Sequence, residues 1–351
     1  MKGLDGRMYD LIVIGGGPGG YMAAERAGGA GLSTLLIEKN KLGGVCLNEG
    51  CIPSKTLLNS AKIYDYASHG QKYGVTAEQV RIDQQVVVAR KNKVVRTLVA
   101  GVRNAMKTNQ VTVKEGFGQI LGRENGIVRV AVGDDVFEAP RLVIATGSET
   151  IVPPIPGVRE GLADGTVLTN REILDLQQIP ESLVVVGGGV IGLEMAGYYH
   201  TCGARVTVIE MLDHIAGAAD REFSALLQKI FEKKGIVFHL GCQVTAVGDG
   251  KVTFKDQAET HQIEVEKVLL SVGRRPVTRG FGLENLNILV ERGRIVTDAQ
   301  GLTNVPGVYA VGDVNGVWML AHAAYREAEV AVNAMLGKRD AMRYQDRKSV
   351  V

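Results

Sequence analysis

The chain has almost no surplus of charge: 40 Lys and Arg against 38 Asp and Glu leave +2, with an isoelectric point near 8.2. That balance is too mild to imply a nucleic-acid partner, and no long basic stripe with interleaved aromatics occurs. The short run Arg90 to Lys93 reads as a solvated helix face. Long apolar runs are also missing. The longest early one, Leu11 to Ile14, stops at glycine, so neither a signal peptide nor a membrane span is expected and the chain reads as cytoplasmic. Cysteine is scarce, with four in 351 residues. In that compartment a close pair favours redox or metal chemistry over a structural staple. Glycine, by contrast, is plentiful: 45 residues, nearly double the usual ~7%, which points to tight turns and close backbone approach to ligands. The length suggests two or three domains, and Met8 is an alternative start that would make Met1 to Arg7 an extension.

The strongest organising signal is an internal repeat at an offset of 172 residues, from Gly15 to Gly187. LIVIGGGPGG from Leu11 matches LVVVGGGVIG from Leu183, and TLLIEK from Thr34 matches VTVIEM from Val206. In each copy an apolar run reads as a buried parallel strand that turns through GxGxxG into a helix. The glycines are Gly15, Gly17 and Gly20, then Gly187, Gly189 and Gly192. The first permits the tight turn, the second lets the backbone approach a pyrophosphate, and the third lets helix and strand pack closely. A second strand ends in Glu38 or Glu210, an acid placed to take a ribose diol and to repel a 2′-phosphate. A lone GxGxxG is weak evidence; two copies in this context imply two dinucleotides, and Glu210 favours NAD over NADP at the second.

Between the copies, Arg81 to Gln110 carries Val86, Val87, Val94, Val95, Leu98, Val102 and Met106 at near-helical spacing, predicting a long amphipathic helix. Val111 to Ile144 alternates apolar and polar residues as an antiparallel meander would. LVIATGS closes it, and Pro153 to Gly157 reads as a linker. The second unit ends with strands around Lys251 to Phe254 and Ile263 to Ser271. A short strand at GVYAVGDV is stopped by Gly312 and Asp313, where the acid is either a ligand for ribityl or ribose hydroxyls or an ordinary turn aspartate. The segment from Met319 to Leu336 then reads as a helix packing back on the first unit.

Cys46 and Cys51 stand in GGVCLNEGCIPSK. A zinc site would want a second pair or a Cys/His cluster, and Cys202 and Cys242 are isolated. Two unrelated buried thiols remain an alternative. A disulfide needs Cα atoms about 4.4 to 6.8 Å apart, whereas i and i+5 of a regular helix lie about 8 to 9 Å apart. If the bond forms, the segment is not one regular helix. Gly50 can supply the break, and Pro53 suits the first turn of a helix beginning near Cys51, where a thiolate is favoured.

These residues resemble the pyridine-nucleotide disulfide oxidoreductases, and among them the dihydrolipoamide dehydrogenase type. The resemblance runs through both GxGxxG units, ATGS, SVGRRP, YAVGDV and MLAHAA in family order. It implies an α/β fold with two Rossmann-like, three-layer FAD- and NAD(P)-binding domains carrying antiparallel meander insertions. The division is 1–149 for the first part of the FAD domain, 150–275 for the NAD domain, 276–345 for the return to the FAD domain, and 346–351 as the stub of an interface domain. It places Gly15, Gly17, Pro18 and Gly20 at the FAD pyrophosphate, Glu38 on the adenosine ribose and Asp313 on the ribityl chain, and NAD on Gly187, Gly189, Gly192 and Glu210. Further cofactor contacts are implied at Lys39, Gly44, Gly118, Thr146, Gly147, Ser148, Ile191, Gly273, Arg274, Gly312, Met319, Leu320, Ala321 and His322. Cys46 would be the interchange thiol, Cys51 the flavin-facing thiol, and Lys55, paired with Glu194, would approach the flavin.

The implied partners are dihydrolipoamide or a dihydrolipoyl domain of a 2-oxo-acid dehydrogenase or glycine-cleavage complex. The family continues with an interface domain that makes the homodimer and donates a His-Glu acid-base pair. No histidine follows His322 in these 351 residues, so the expectation is intact FAD and NAD sites, weak or absent dihydrolipoamide turnover, and altered dimerisation. The alternatives are a disulfide reductase for another thiol and a non-catalytic FAD- and NAD-binding fragment.

Overall fold

The structure, a computed structural model, describes residues Met8–Tyr344. The Met1 to Arg7 extension and residues 346–351 lie outside them. Eight α-helices run through the described residues: α1 (Pro18–Gly29), α2 (Gly44–Glu49), α3 (Cys51–Ser68), α4 (Gln84–Thr108), α5 (Val158–Asp164), α6 (Val190–Thr201), α7 (Arg221–Lys234) and α8 (Ala321–Met335). The chain forms two compact units. The first draws on residues up to Asn48, Arg96–Glu149 and Arg275 onward; the second comprises Glu49–Val95 and Thr150–Arg274. Residues 49–95 therefore cluster with the second unit, where Leu57 and Ala61 of α3 share a core with Tyr198 and Tyr199 of α6.

In the first unit, five parallel strands lie in the order Val308–Ala310, Leu142–Ile144, Leu11–Ile14, Thr34–Glu38, Thr112–Glu115. Leu11–Ile14 is central and wholly buried, as its unbroken apolar run requires of a strand covered on both faces. An antiparallel meander (Gly118–Glu124, Ile127–Val132, Asp135–Ala139) buries Ile120, Val128 and Val130 in one core with Ile12, Ile14, Leu35 and Ile37. Helices α1 and α8 pack against each other. The meander is shorter than Val111 to Ile144: Thr112–Glu115 and Leu142–Ile144 pair in parallel with the central sheet instead. Alternation along a strand reports which faces are wet, and both kinds of sheet produce it at an edge.

The second unit repeats the plan. Its parallel order is Val237–Leu240, Arg205–Glu210, Ser182–Val186, Lys267–Leu270, Val167–Leu168. Strand period two divides the central strand cleanly. Leu183 and Val185 join the core of α3 and α6, while Val184 and Val186 join Val244, Val252 and Phe254 of a second meander. Each unit thus has helix, sheet and meander layers.

Two expectations about α4 change. Val86 and Leu98 are 63% and 40% exposed, so the apolar stripe is not continuously covered. Lys91 is 2% exposed and ion-paired with Asp175, so the Arg90 to Lys93 run is not a uniformly solvated face. A long aliphatic stem allows that burial because its ammonium has found a carboxylate.

Candidate active site

The first glycine loop is set by its strand. Gly15 N–H donates to the Ile37 carbonyl (2.8 Å), at φ +104°. A Cβ at Gly20 would stand 1.7 Å from the Gly15 carbonyl oxygen, so only glycine lets α1 start this close to the strand. Glu38 is 8% exposed, and its carboxylate accepts the N–H groups of Gly16 (2.6 Å) and Asn40 (2.7 Å). The second loop reproduces this bond for bond. Gly187 N–H donates to Ile209 (2.8 Å), and Glu210 accepts from Gly188 (2.6 Å) and Leu212 (2.8 Å). Each glutamate therefore clamps its own loop, a role the motif did not disclose.

The middle glycines test whether a dinucleotide fits. A Cβ at Gly189 would meet nothing within 4 Å, and one at Gly17 only the Gly44 Cα at 3.8 Å. Both loops thus leave room for a pyrophosphate in front of a helix N-terminus. Pro18 opens α1 without needing an N–H partner. Gly44 has φ +57° and its Cβ position lies 2.5 Å from the Gly17 Cα, while Gly43 N–H donates to Gly16 (2.8 Å). The start of α2 is seated directly on the first loop.

Other expected residues fall into two groups. In the first unit, Asp313 lies in the turn Gly312–Asn315 and accepts the Ser148 hydroxyl (2.5 Å), and the Thr146 hydroxyl donates to Val277 (2.8 Å). The Gly147 carbonyl accepts the Val277 N–H (2.9 Å). Met319 and Leu320 precede α8, and Ala321 and His322 open it, all at least partly exposed. Lys39 is exposed, and Gly118 opens the meander against Ile37. In the second unit, Ile191 is 36% exposed in the first turn of α6, Gly273 accepts from Ile151 N–H (3.0 Å), and the Arg274 guanidinium reaches Asn170 Oδ1 (3.3 Å).

The thiols sit where the helix breaks. Cys46 in α2 and Cys51, first residue of α3, are disulfide-bonded. Gly50 interrupts the helix between them with φ −149° and ψ −111°, and its carbonyl accepts Ser54 N–H (3.0 Å) as α3 begins. The Asn48 amide donates to the carbonyls of Leu42 (3.0 Å) and Gly44 (2.9 Å), tightening the turn before the break. One turn on, Lys55 Nζ contacts both Glu194 carboxylate oxygens (2.7 and 3.0 Å).

Residues 9–328 match the family described as pyridine nucleotide-disulphide oxidoreductase. The chain belongs to that family. Curated relatives carry the name dihydrolipoyl dehydrogenase, among them the following three. The protein of Acholeplasma laidlawii is 42% identical over 329 residues, covering 93% of this chain and 96% of its own length. That of Bacillus subtilis is 40% identical, with 94% and 72% covered. The mitochondrial protein of Bos taurus is 39% identical, with 93% and 66% covered. The solved copper(II) complex of the HOCl-induced flavoprotein disulfide reductase RclA from Escherichia coli superposes with a TM-score of 0.83 at 26% identity, covering 97% of this chain and 74% of that one.

As a pyridine nucleotide-disulphide oxidoreductase, the chain keeps its other two thiols away from exchange chemistry. Cys202 and Cys242 are free and buried. Burial pushes the Cys202 thiol up to about 11 and raises that of Cys242 as well. Sequence reading missed Asn170, which donates to the Glu49 carbonyl (2.8 Å), and Arg171, which pairs with the Glu49 carboxylate (2.6 Å). Both reach the last residue of α2 from more than a hundred positions away, so no local pattern could have marked them. Among the described residues no helix is long and apolar enough to cross a membrane.

Proposed function

We propose that the chain is a dihydrolipoyl dehydrogenase, a cytoplasmic one, that oxidises dihydrolipoamide at Cys46–Cys51 and reduces NAD⁺. The observation that carries this is the Cys46–Cys51 disulfide closed across the helix break at Gly50, with Cys51 at the first position of α3. The first glycine loop and Asp313 would hold FAD, the second loop and Glu210 NAD. Bound FAD supplies the two-electron carrier that joins thiol oxidation to nicotinamide reduction.

A substrate thiolate attacks Cys46 Sγ, so a mixed disulfide forms and the Cys46–Cys51 bond breaks to leave the Cys51 thiolate. The second substrate thiolate then attacks the substrate sulfur of the mixed disulfide, giving the cyclic disulfide product and the Cys46 thiolate. The α3 N-terminus favours the Cys51 anion by its exposed N–H groups and dipole. Lys55, anchored by Glu194, would keep a positive charge one turn further along. Dihydrolipoamide, or the dihydrolipoyl domain of a 2-oxo-acid dehydrogenase or glycine-cleavage complex, is the partner this chemistry fits.

Two measurements test the proposal. Anaerobic titration with NADH is expected to produce a long-wavelength charge-transfer band, which Cys51→Ser abolishes. Dihydrolipoamide-dependent NAD⁺ reduction is then compared with NADH-to-dye electron transfer, which bypasses the thiols. Bleaching of the flavin with no charge-transfer band would sink the thiol role, and turnover confined to another disulfide would replace the substrate.

A further inference from the structure

The first unit contains a buried carboxylate outside every cofactor motif. Glu327 of α8 is 1% exposed. Its Oε2 accepts both the Gly312 N–H (2.6 Å) and the Asn315 side-chain amide (2.9 Å), and its Oε1 accepts the Tyr344 hydroxyl (2.9 Å). Gly312 and Asn315 are the first and last residues of the turn that carries Asp313. One oxygen atom therefore grips the turn on both sides of the acid that meets the cofactor.

The turn needs such a grip. Gly312 stands at φ +76° immediately before Asp313, and its N–H points away from the strand ladder, which ends as Val311 N–H donates to Ile144 (3.1 Å). Asn315 is itself 1% exposed. Without an acceptor at Glu327, the buried Gly312 N–H would be left without a partner and the buried Asn315 amide would lose its carboxylate, a substantial penalty together. The carboxylate is held in turn by its own helix, because α8 packs on α1 and the segment after it folds back. Asp340 pairs with Arg326 (2.5 and 2.9 Å), and Met342 N–H donates to Ala299 (2.8 Å), which brings Tyr344 to Oε1.

We propose that Glu327 is the positioning residue of the flavin site: by holding Gly312 and Asn315 it fixes where Asp313 presents its carboxylate to the ribityl hydroxyls of FAD. This rests on the first unit being the FAD site. Glu327 does not touch the cofactor; it acts through the turn. Asp313 is braced from its other side by the Ser148 hydroxyl (2.5 Å), so its carboxylate is aimed by two independent contacts, one to the side chain and one to the backbone around it.

The test is FAD binding to the apoprotein of the full chain, followed by flavin fluorescence and by the visible circular dichroism of the bound flavin. Glu327→Leu is expected to weaken FAD about 10-fold or more and to change the dichroism. Glu327→Gln keeps an acceptor for the turn and an amide for Tyr344 and is expected to restore both to within about 3-fold of wild type. NADH affinity, which belongs to the second unit, reports that each variant is folded. Asn315→Ala carries the test if the leucine variant does not fold, with an expected loss of a few-fold. Wild-type affinity and dichroism in Glu327→Leu, or in Asn315→Ala where that variant decides, overturns the proposal. Equal loss in the leucine and glutamine variants also overturns it, since packing alone would explain that. If the wild-type chain itself takes up no FAD, the cofactor reading fails instead.

Discussion

Glu38 and Glu210 hold their glycine loops before any ribose arrives, because each carboxylate accepts two backbone N–H groups. Removing Glu210 therefore has two effects with different signatures. Glu210→Ala frees the Gly188 and Leu212 N–H groups and would remove the proposed diol acceptor, so NADH affinity is expected to fall about 10-fold or more. The repulsion of a 2′-phosphate disappears with it, so the ratio of NADH to NADPH affinity, measured by titration, is expected to shrink further than loop loosening alone allows. At Glu327 the prediction concerns pH. Burial and the nearby Asp313 carboxylate lift its ionisation from the ordinary 4.5 to about 7, against the opposing pull of Gly312 N–H, Tyr344 and Asn315. A folded-state value above the unfolded one means that the folded chain binds the proton more tightly. The stabilisation is complete below the unfolded value and is lost as pH rises through about 7. Melting temperature is expected to decline across that window in the wild type and to flatten there in Glu327→Gln. The two glutamates that clamp the loops were legible as special positions because glutamate recurs at the same place in a repeat. Glu327 was not, since its partners lie 12 to 17 positions away on both sides of it, in the turn after Val308–Ala310 and in the segment that folds back after α8.

Helices α3 and α6 meet at an ion pair whose value is directional. Lys55 is 60% exposed at its side chain and Glu194 25%, so water screens most of their attraction. Breaking it should change stability by no more than ~1 kcal/mol. If the pair instead orients Lys55 one turn beyond Cys51, Glu194→Gln will lower turnover with dihydrolipoamide while leaving the melting temperature nearly unchanged. Loss of melting temperature in parallel with activity would show that the pair is a fastener between helices. Element types were readable where one signal ruled: the apolar runs before each glycine loop are buried parallel strands, and α8 (Ala321–Met335) lies within the segment read as a helix. Boundaries were not. Thr112–Glu115 alternates like a meander strand yet pairs in parallel at the edge of the sheet, because period two is common to both arrangements. The break at Gly50 was implied by thiol spacing, but the clamps that hold Glu49, Asn170 and Arg171, come from a distant loop and leave no trace beside the cysteines.

At the scale of the whole molecule, the repeat means that each unit closes its own loop with its own residues. In the first, the Gly20 Cβ position lies 1.7 Å from the Gly15 carbonyl oxygen; in the second, that of Gly192 lies 2.4 Å from the Gly187 oxygen. Both obstacles are backbone, which cannot swing aside as a flexible side chain would. Relief requires moving α1 or α6 off its strand, at a cost of about 1 to 3 kcal/mol and with the pyrophosphate cradle opened. Gly20→Ala is therefore expected to lose FAD while titration still shows NADH binding, and Gly192→Ala to retain the yellow flavin while NADH affinity collapses. Because the first glycine loop also seats α2 through Gly43 and Gly44, the Gly20 change should reach the thiols as well. After Gly20→Ala, alkylation of Cys46 under mild reduction should quicken, whereas after Gly192→Ala it should match the wild type. If both substitutions abolish both cofactors equally, the two loops are not independent and the repeat describes ancestry without describing how the molecule binds.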